Sequence, residues 1–286
     1  MSRHLVLTQE RIFKLQKEGR GLGEGASYKP WIQVDDFPSQ GRCHRIQDIL
    51  TGRVHHFFSD LEADFYYIIA WNSNVLDIRE QYPLPTVMTE QIATSLGVVH
   101  PKCRDRSSYV MTTDFLITYR DSITGKIMYC ARSVKPMSEL SNKRTLQKQQ
   151  IEQLYWKSNN VDWKCVTENS FLRIKAKNIR KMLAHYNIFQ QDQLTENIGL
   201  ALMERIFTSE YQPLQSVCDQ ICVEQFLEQG EALSLFYYLV AHRQIVVDLN
   251  SKIWPTMLVK DLVDLDALKE TLTKLRREHW DEACSE

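Results

Sequence analysis

A chain of 286 residues is long enough for two domains of ordinary size. Its 43% hydrophobic and 25% charged residues are typical of a soluble globular protein, and no run approaches the ~18 consecutive apolar residues that a membrane-spanning helix needs. The net charge of −1 lacks the basic surplus of a protein that binds nucleic acid unaided by releasing counterions. A chain of this charge that acts on DNA needs local basic patches or partner proteins.

Neither the N-terminus nor the cysteines indicate secretion. Residues 1–5 lack the apolar run of a secretory signal. The seven cysteines are odd in number and form no CxxC pair or zinc-like spacing, which favours reduced thiols in a cytoplasm. Cys218 and Cys222 would share a helix face, but no nearby histidine completes a metal site.

Helical and extended patterns alternate over the first part of the chain. The glycine-rich stretch 19–25 is predicted to be a surface loop, because no strand precedes it as a dinucleotide fingerprint requires. Periodicity and turn residues predict, in order, a helix over 8–18, a β-hairpin over 42–58, a helix from Ser59, a strand over 75–82, a helix over 88–96, strands over 109–119 and 126–135, a helix over 142–158 and a strand over 161–167. This order predicts a mixed α/β domain over residues 1–168.

The pattern changes after residue 169. Helices are predicted over 170–187, 193–208, 214–228, 231–242 and 259–278. Only residues 245–247 and 252–254 look extended. Short helices with a two-stranded hairpin would suit a winged-helix-like domain over residues 169–286.

One carboxylate interrupts an apolar, β-prone run, at Asp114. A buried carboxylate is costly unless its charge is compensated, and a bound cation is one compensation. On the next predicted strand, Ser133 and Lys135 project from one face. This is the skeleton of PD-(D/E)xK nucleases, in which the acid holds Mg²⁺ and the lysine offsets charge on the phosphate. The alternative is a strand-end acid paired with a surface lysine, since residue 133 is serine rather than an acid.

Glu62 is a second candidate with a strong alternative. Ser59-x-x-Glu62 is a capping box, in which the glutamate side chain binds the N-cap amide. However, nucleases of this class often take a metal-binding carboxylate from the helix that precedes the sheet, and Glu62 lies in that element.

Several motifs in order resemble the TnsA endonuclease family. They are Glu18-Gly19-Arg20-Gly21, Tyr28-Lys29-Pro30-Trp31, Gly41-Arg42-x-His44-Arg45-Ile46, the run from Thr51 to Glu62, the run from Val75 to Leu84, Met111-x-Thr113-Asp114-Phe115-Leu116, Val134-Lys135-Pro136 and Arg144-Thr145-Leu146. The resemblance covers nearly the whole first domain and becomes faint after about residue 170.

The resemblance implies a restriction-endonuclease-like catalytic domain followed by a winged-helix-type domain. Such an enzyme cleaves the 5′ strands at transposon ends, while a TnsB-type DDE transposase cuts and joins the 3′ ends. A TnsC-type AAA+ ATPase couples cleavage to target choice. The resemblance also implies a bacterial cytoplasmic protein, associated with the nucleoid during transposition.

The resemblance also assigns roles within the site. Glu62 and Asp114 fall on the metal-binding acids, and Lys135 falls on the active-site lysine. Glu152 aligns with a glutamate on the helix after the active-site strand, although a solvated helix-face charge is the alternative. The implied cofactor is Mg²⁺, as two ions, with Mn²⁺ able to substitute.

One position departs from the family pattern. Where the family has Gln-Val-Lys, this chain has Ser133-Val134-Lys135, and serine is too short for direct metal ligation. We therefore expect either that the Ser133 hydroxyl holds a metal-bound water or that the Val134 carbonyl ligates the metal.

Two basic clusters are candidate DNA contacts, although either can be a merely solvated face. The first lies on the arms of the predicted hairpin and comprises Arg42, Arg45, Arg53, His55 and His56. The second would lie on one helix face and comprises Arg173, Lys177, Arg180 and Lys181.

Three functions remain open at this point. The first is the transposon-end endonuclease. The second is a catalytically silent relative that bridges transposase and ATPase, favoured only by Ser133. The third is a stand-alone restriction-type nuclease, which the near-neutral charge disfavours because such an enzyme binds DNA unaided.

Overall fold

The computed structural model describes residues 7–36 and 42–283, and side chains up to residue 277. Residues 1–5, Gly41 and Cys284, which the sequence analysis used, lie outside these ranges. The chain divides into two units, Met1–Arg173 and Ile174–Glu286. The division falls a few residues after the domain boundary predicted at 168, and the function assigned to each domain stays a prediction.

The first unit contains the predicted elements, with ends displaced by a few residues. In chain order they are α1 Gln9–Lys17, β1 His44–Gln47, β2 Val54–Phe57, α2 Asp60–Ala70, β3 Val75–Pro83, α3 Thr86–Ser95, β4 Thr112–Arg120, β5 Ile127–Val134, α4 Lys143–Ser158 and β6 Asp162–Val166. Side chains at the N-caps explain where helices begin. The Ser59 hydroxyl accepts a hydrogen bond from the first turn of α2, and the Asn142 side chain does the same for α4.

The strands form a two-stranded hairpin and a four-stranded mixed sheet. β1 and β2 pair antiparallel. The larger sheet has the order β3-β4-β5-β6, with antiparallel neighbours except for the parallel pair β5 and β6. The parallel pair is possible because α4 carries the chain from the end of β5 back to the start of β6. The predicted mixed α/β architecture is therefore confirmed.

Adjacent residues of β4 face two different cores. Leu116 packs with Ala131, Ile151 and Trp156 in a core between the sheet and helices α3 and α4. Phe115 points the other way, and its ring centroid lies 5.3 Å from that of Phe65 on α2. Because side chains alternate along a strand, Asp114 shares the face of Leu116 and is directed toward α4.

The glycine-rich loop after α1 is shaped by backbone that only glycine adopts easily. Gly21 has φ of +79°, and its amide donates to the Lys29 carbonyl at 2.6 Å. A Cβ at Gly21 would lie 2.2 Å from Cγ of Pro83, so a larger residue would displace the end of β3. The stretch forms a loop as predicted, and no strand precedes it among residues 7–18.

Helices dominate the chain after residue 172. They are α5 Arg173–Leu183, α6 Gln193–Thr208, α7 Leu214–Glu224, α8 Glu231–Ala241, α9 Val259–Leu262 and α10 Leu265–Ala283. Cys218 and Cys222 share the buried face of α7, and the Cys222 thiol donates to the Glu228 carbonyl. The six cysteines within the described ranges are free thiols.

The hairpin expected from residues 245–247 and 252–254 is wrong. Val247 instead forms an isolated antiparallel bridge with Val263. Val263 lies inside the single helix that was predicted over 259–278. That bridge separates α9 from α10. The chain after Val247 is unavailable for a hairpin because the carbonyls of Leu249 and Ser251 accept hydrogen bonds from the Asn178 amide of α5, at 2.8 and 2.7 Å.

Within the described residues, no helix is both long enough and apolar enough to cross a membrane.

Candidate active site

The site lies where β4 begins and β5 ends. Phe115 pairs with Arg132 in the antiparallel ladder, so Asp114 comes opposite Ser133. Residues opposite each other in an antiparallel pair share a face, and Lys135 lies two residues beyond Ser133 on that face. The register therefore brings the three sequence-predicted side chains Asp114, Ser133 and Lys135 together.

One oxygen of Asp114 receives three hydrogen bonds. Its Oδ2 accepts from the Val134 amide at 2.6 Å, the Lys135 ammonium at 2.8 Å and the Ser133 hydroxyl at 3.3 Å. Burial alone would lower the pKa of Lys135, but the charge and hydrogen bond of Asp114 raise it above its usual value. The lysine is therefore charged at neutral pH and fixed beside the carboxylate.

Glu62 caps the start of α2, although its side chain does not bind the Ser59 amide as the predicted capping box requires. Its Oε2 accepts from the Phe58 amide at 3.1 Å and its Oε1 accepts from the Ser59 hydroxyl at 2.9 Å. The side chain is also buried close to other charges. Burial and then the charge of Asp114 raise the pKa of Glu62 to about 7. Glu62 therefore both caps α2 and lies near the pair formed by Asp114 and Lys135.

Glu152 is an interior carboxylate rather than a solvated helix-face charge. It is 4% exposed, and its Oε1 accepts a hydrogen bond from the Trp163 indole at 2.9 Å. Burial and then the charge of Asp114 raise the pKa of Glu152 to about 7. The alternative of a solvated charge is therefore wrong for this residue.

A polar cavity of about 240 Å³ opens at these strand ends. Strands β4 and β5 and helix α4 contribute polar side chains to its wall: Thr112, Asp114, Ser133, Lys135, Thr145, Lys148, Gln149 and Glu152. Glu62 does not line it. The cavity combines oxygen donors with two ammonium groups, which is the chemistry needed to hold a phosphate beside a cation.

The donor set fits a hard divalent cation. Glu62 and Glu152 are only partly compensated by Lys135, as their raised pKa values near 7 show. A bound cation would supply the missing positive charge. No three Asp, Glu, His or Cys side chains among the described residues are grouped as a complete metal site. A small number of protein ligands is sufficient for Mg²⁺, because this ion keeps several of its bound waters.

Ser133, which departs from the family pattern, and the adjacent Val134 both form hydrogen bonds within the site. The Ser133 side chain is buried, and its hydroxyl donates to Asp114. The Val134 carbonyl accepts a hydrogen bond from the Lys135 ammonium at 3.0 Å. The hydroxyl therefore helps to orient Asp114, while the ligand roles expected for Ser133 and Val134 stay predictions.

Two members of the first basic cluster are interior residues, which corrects their assignment as DNA contacts. Arg53 donates to both oxygens of Glu80, at 2.9 and 2.5 Å, and its side chain is 7% exposed. His55 is fully buried, with Nδ1 at 2.8 Å from the same glutamate. Buried and paired, these two groups cannot reach a phosphate.

The other members of that cluster lie nearer the surface. His56 is partly buried, and its Nδ1 accepts from the Val34 amide at 3.3 Å. Arg42 is 76% exposed and lies 3.9 Å from Asp60. Arg45 is also exposed and pairs with the exposed Asp35. The two arginines remain available for DNA contact, which stays a prediction.

The second basic cluster lies on the outward face of α5, whose buried face includes Ile179 and Met182. Arg173, Lys177 and Arg180 are exposed, and Arg173 donates to Asp64 at 2.9 Å. Lys181 differs from them, since its ammonium lies 4.3 Å from the centroid of the Tyr237 ring. The shared face is as predicted, and its contact with DNA is untested.

Several polar residues of the site were missed by sequence reasoning. Lys148 and Gln149 line the cavity, and Trp163 fixes Glu152. A usable signal existed for two of them, since Lys148 and Gln149 precede Glu152 by four and three residues on one helix. Trp163 carried no comparable signal, because its contact depends on the packing of β6 against α4.

Comparison with known proteins agrees with this geometry. Family models described as TnsA-like endonuclease N terminal and TnsA endonuclease C terminal match residues 72–168 and 172–249. The Transposon Tn7 transposition protein TnsA of Escherichia coli is 36% identical over 237 residues, which cover 82% of this chain and 84% of that protein. The protein is therefore an endonuclease of DNA transposition. More particularly, the chain belongs to the TnsA endonuclease family.

Proposed function

We propose that this protein hydrolyses the 5′ strands at transposon ends in a Mg²⁺-dependent reaction, with a TnsB-type DDE transposase and a TnsC-type AAA+ ATPase as partners. The observation that carries the proposal is the contact between Asp114 and Lys135 at 2.8 Å within a polar cavity. Beside that pair, two buried carboxylates have pKa values raised to about 7, which a cation would relieve.

Each site residue has a defined part in the proposed reaction. Asp114 and Glu62 hold the cation, with the Val134 carbonyl as a further oxygen donor. When bound, Mg²⁺ supplies Lewis-acid polarisation of the scissile phosphate and lowers the pKa of the attacking water. Lys135 offsets the negative charge that develops on the phosphate, since its ammonium is charged and held at the cavity wall.

The proposal extends to the fold and to the partners. The mixed sheet, with its acid and lysine on adjacent strands and helices on both faces, supports a restriction-endonuclease-like catalytic unit. A net charge of −1 supports partners that hold the DNA substrate for this chain. Exposed Arg42 and Arg45, with the exposed face of α5, would add local contacts to the backbone.

Strand-specific cleavage tests the proposal. The full chain, its transposase partner and Mg²⁺ are incubated with end-containing DNA, and wild type is compared with Asp114→Ala. We expect wild type to cut the 5′ strands and the variant to leave only 3′ cuts. Identical products from both proteins would reject the nuclease assignment under these conditions.

A second candidate function is a silent bridge between transposase and ATPase. The observation that favours it is Ser133, whose hydroxyl donates to Asp114 within the site, in place of a metal-ligating side chain. The same cleavage comparison separates the two functions. A bridge would leave the products unchanged by Asp114→Ala but would still be required for assembly with both partners.

A further inference from the structure

One face of α4 forms a polar wall of the active-site cavity. Thr145, Lys148, Gln149 and Glu152 follow the helical spacing of three and four residues, and all four line the cavity. They face Asp114 and Lys135 from the sheet. The helix therefore presents a hydroxyl, an ammonium, an amide and a carboxylate to one space.

This wall runs from a buried acid to an exposed cation. Glu152 is 4% exposed and Gln149 is 7% exposed, whereas Lys148, one turn before Glu152, is exposed. The carboxylate thus lies deep in the cavity and the ammonium lies at its rim. A DNA backbone that enters the cavity with one phosphate at Lys135 would meet Lys148 on the way in.

Lys148 has no ion-pair partner among the residues that the structure describes. The charges that act on it come from the cations Arg144 and Lys135 and from one carboxylate, Glu139, which also lines the cavity. Arg144 is itself held by the Val99 carbonyl at 2.5 Å. Two cations line the cavity, and one of them, Lys135, is paired with Asp114. Lys148, with the single exposed acid Glu139 nearby, is therefore the cation that attracts an anion from outside the chain.

We infer that Lys148 binds the backbone phosphate next to the scissile phosphate. This contact positions the DNA strand over Asp114 and Lys135. The inference rests on the proposed function, because it assumes that DNA is the substrate of this cavity. A contact with phosphate is favoured over a contact with a base edge. The flexible side chain of Lys148, at the rim of the cavity, acts as a point charge and lacks the bidentate geometry that base recognition uses.

The test measures DNA binding without cleavage. The full-length chain together with its transposase partner is titrated in EDTA against a fluorescent transposon-end duplex of about 30 base pairs at several salt concentrations. Lys148→Ala is compared with Lys157→Ala, a matched control with the same charge change at an exposed position of α4 outside the cavity. We expect the slope of log affinity against log salt to shrink by about 1 for Lys148→Ala only. Its affinity should weaken roughly tenfold.

A conservative variant and a kinetic measurement separate positioning from general structural damage. Lys148→Arg should keep the wild-type salt slope, because it keeps the charge. In cleavage with the transposase partner, Lys148→Ala should raise the KM for DNA about tenfold while kcat changes less. A uniform loss of kcat with an unchanged salt slope would mean that the residue acts only through folding, and would overturn the inference.

The outcomes also distinguish this inference from the proposed function. An equal salt slope in Lys148→Ala and Lys157→Ala overturns the phosphate contact, whether or not the enzyme cuts. If addition of the wild-type chain leaves the salt slope of the transposase alone unchanged, the contact is overturned as well. A reduced slope for Lys148→Ala, together with identical cleavage by wild type and Asp114→Ala, supports the contact and rejects the nuclease assignment.

Discussion

Two buried regions of the first unit handle carboxylate charge in opposite ways. Under the β1–β2 hairpin, Glu80 is fully buried, yet its pKa falls to about 2. Burial would raise that value, but the charges and hydrogen bonds of His55 and Arg53 outweigh it. At the active site, Glu62 and Glu152 are equally inaccessible, and their pKa values rise to about 7.

The pKa values differ because the carboxylates have different numbers of cations beside them. Glu80 contacts two cations, the guanidinium of Arg53 and the imidazole of His55, the second of which also lies 3.7 Å from Asp48. Asp114, Glu62 and Glu152 have the single ammonium of Lys135 between them. A satisfied buried carboxylate is a structural element, whereas a deficit of positive charge marks a place built to receive a cation and a phosphate.

The largest expected effect follows from removal of Arg53, one of the two cations that contact Glu80. We expect Arg53→Ala to lower the free energy of unfolding by about 3–5 kcal/mol, because a buried charge loses its partner. Urea unfolding of the full chain measures this change. Arg45→Ala, on the same hairpin but exposed, is the control and should stay within about 0.5 kcal/mol of wild type. Equal effects would contradict the structural role given to Arg53.

Removal of the ammonium that contacts Asp114 should act on the rate of cleavage. We expect Lys135→Ala to slow 5′-strand cleavage by about 10²–10³-fold, since a preorganised charge at the phosphate is lost. Single-turnover assays with the transposase partner measure the rate. Lys164→Ala, an exposed lysine on β6, should leave the rate unchanged. A loss of less than about threefold would remove Lys135 from the reaction.

The hairpin network should also respond to pH with a defined sign. The folded-state pKa of Glu80 is depressed from its ordinary 4.5, so its contribution is present above pH 4.5 and is lost as pH falls toward about 2. The folded-state pKa of His55 is raised from 6.5, so its contribution is present below pH 6.5 and is lost as pH rises through the raised value.

Both contributions are therefore complete between pH 4.5 and 6.5. The acid side should cost up to about 3 kcal/mol of unfolding free energy, given the size of the Glu80 shift. Urea midpoints measured from pH 3 to pH 8 check the window. In Glu80→Gln the acid-side loss should shrink, and an unchanged acid profile would show that other carboxylates dominate.

The smallest effect concerns the serine beside Asp114. Ser133→Ala removes one of three donors to Asp114 Oδ2, and the Val134 amide and Lys135 remain. We expect cleavage to slow by about 2- to 10-fold, because this hydrogen bond is the longest of the three, at 3.3 Å. Full Mg²⁺-dependent cleavage by the variant would dispose of any role for the hydroxyl.

Local patterns predicted the first unit well because its elements carry their own signals. The Ser59 N-cap marks the start of α2, and the turn near Gly52 marks the hairpin. The break at Val263 had no such signal. It depends on a bridge to Val247, sixteen residues earlier, and on the fastening of the intervening chain to Asn178.

The candidate site was predictable to the same extent and for the same reason. Asp114 and Lys135 lie on neighbouring strands, so their spacing alone places them on one face. Arg53 and His55 looked like hairpin cations available to DNA. Their partner Glu80 lies on β3, more than twenty residues away, and becomes visible only when β2 and β3 lie side by side.

The hydrogen bonds of Glu62 at the start of α2 have a thermodynamic consequence for metal loading. Both oxygens of Glu62 already hold the Phe58 amide and the Ser59 hydroxyl. A carboxylate that turned toward a cation would give up its bonds to the Phe58 amide and the Ser59 hydroxyl, at a cost of about 1 kcal/mol. Cation binding and this cap then compete for the same carboxylate, so faster exchange of the Phe58 amide would report metal occupancy.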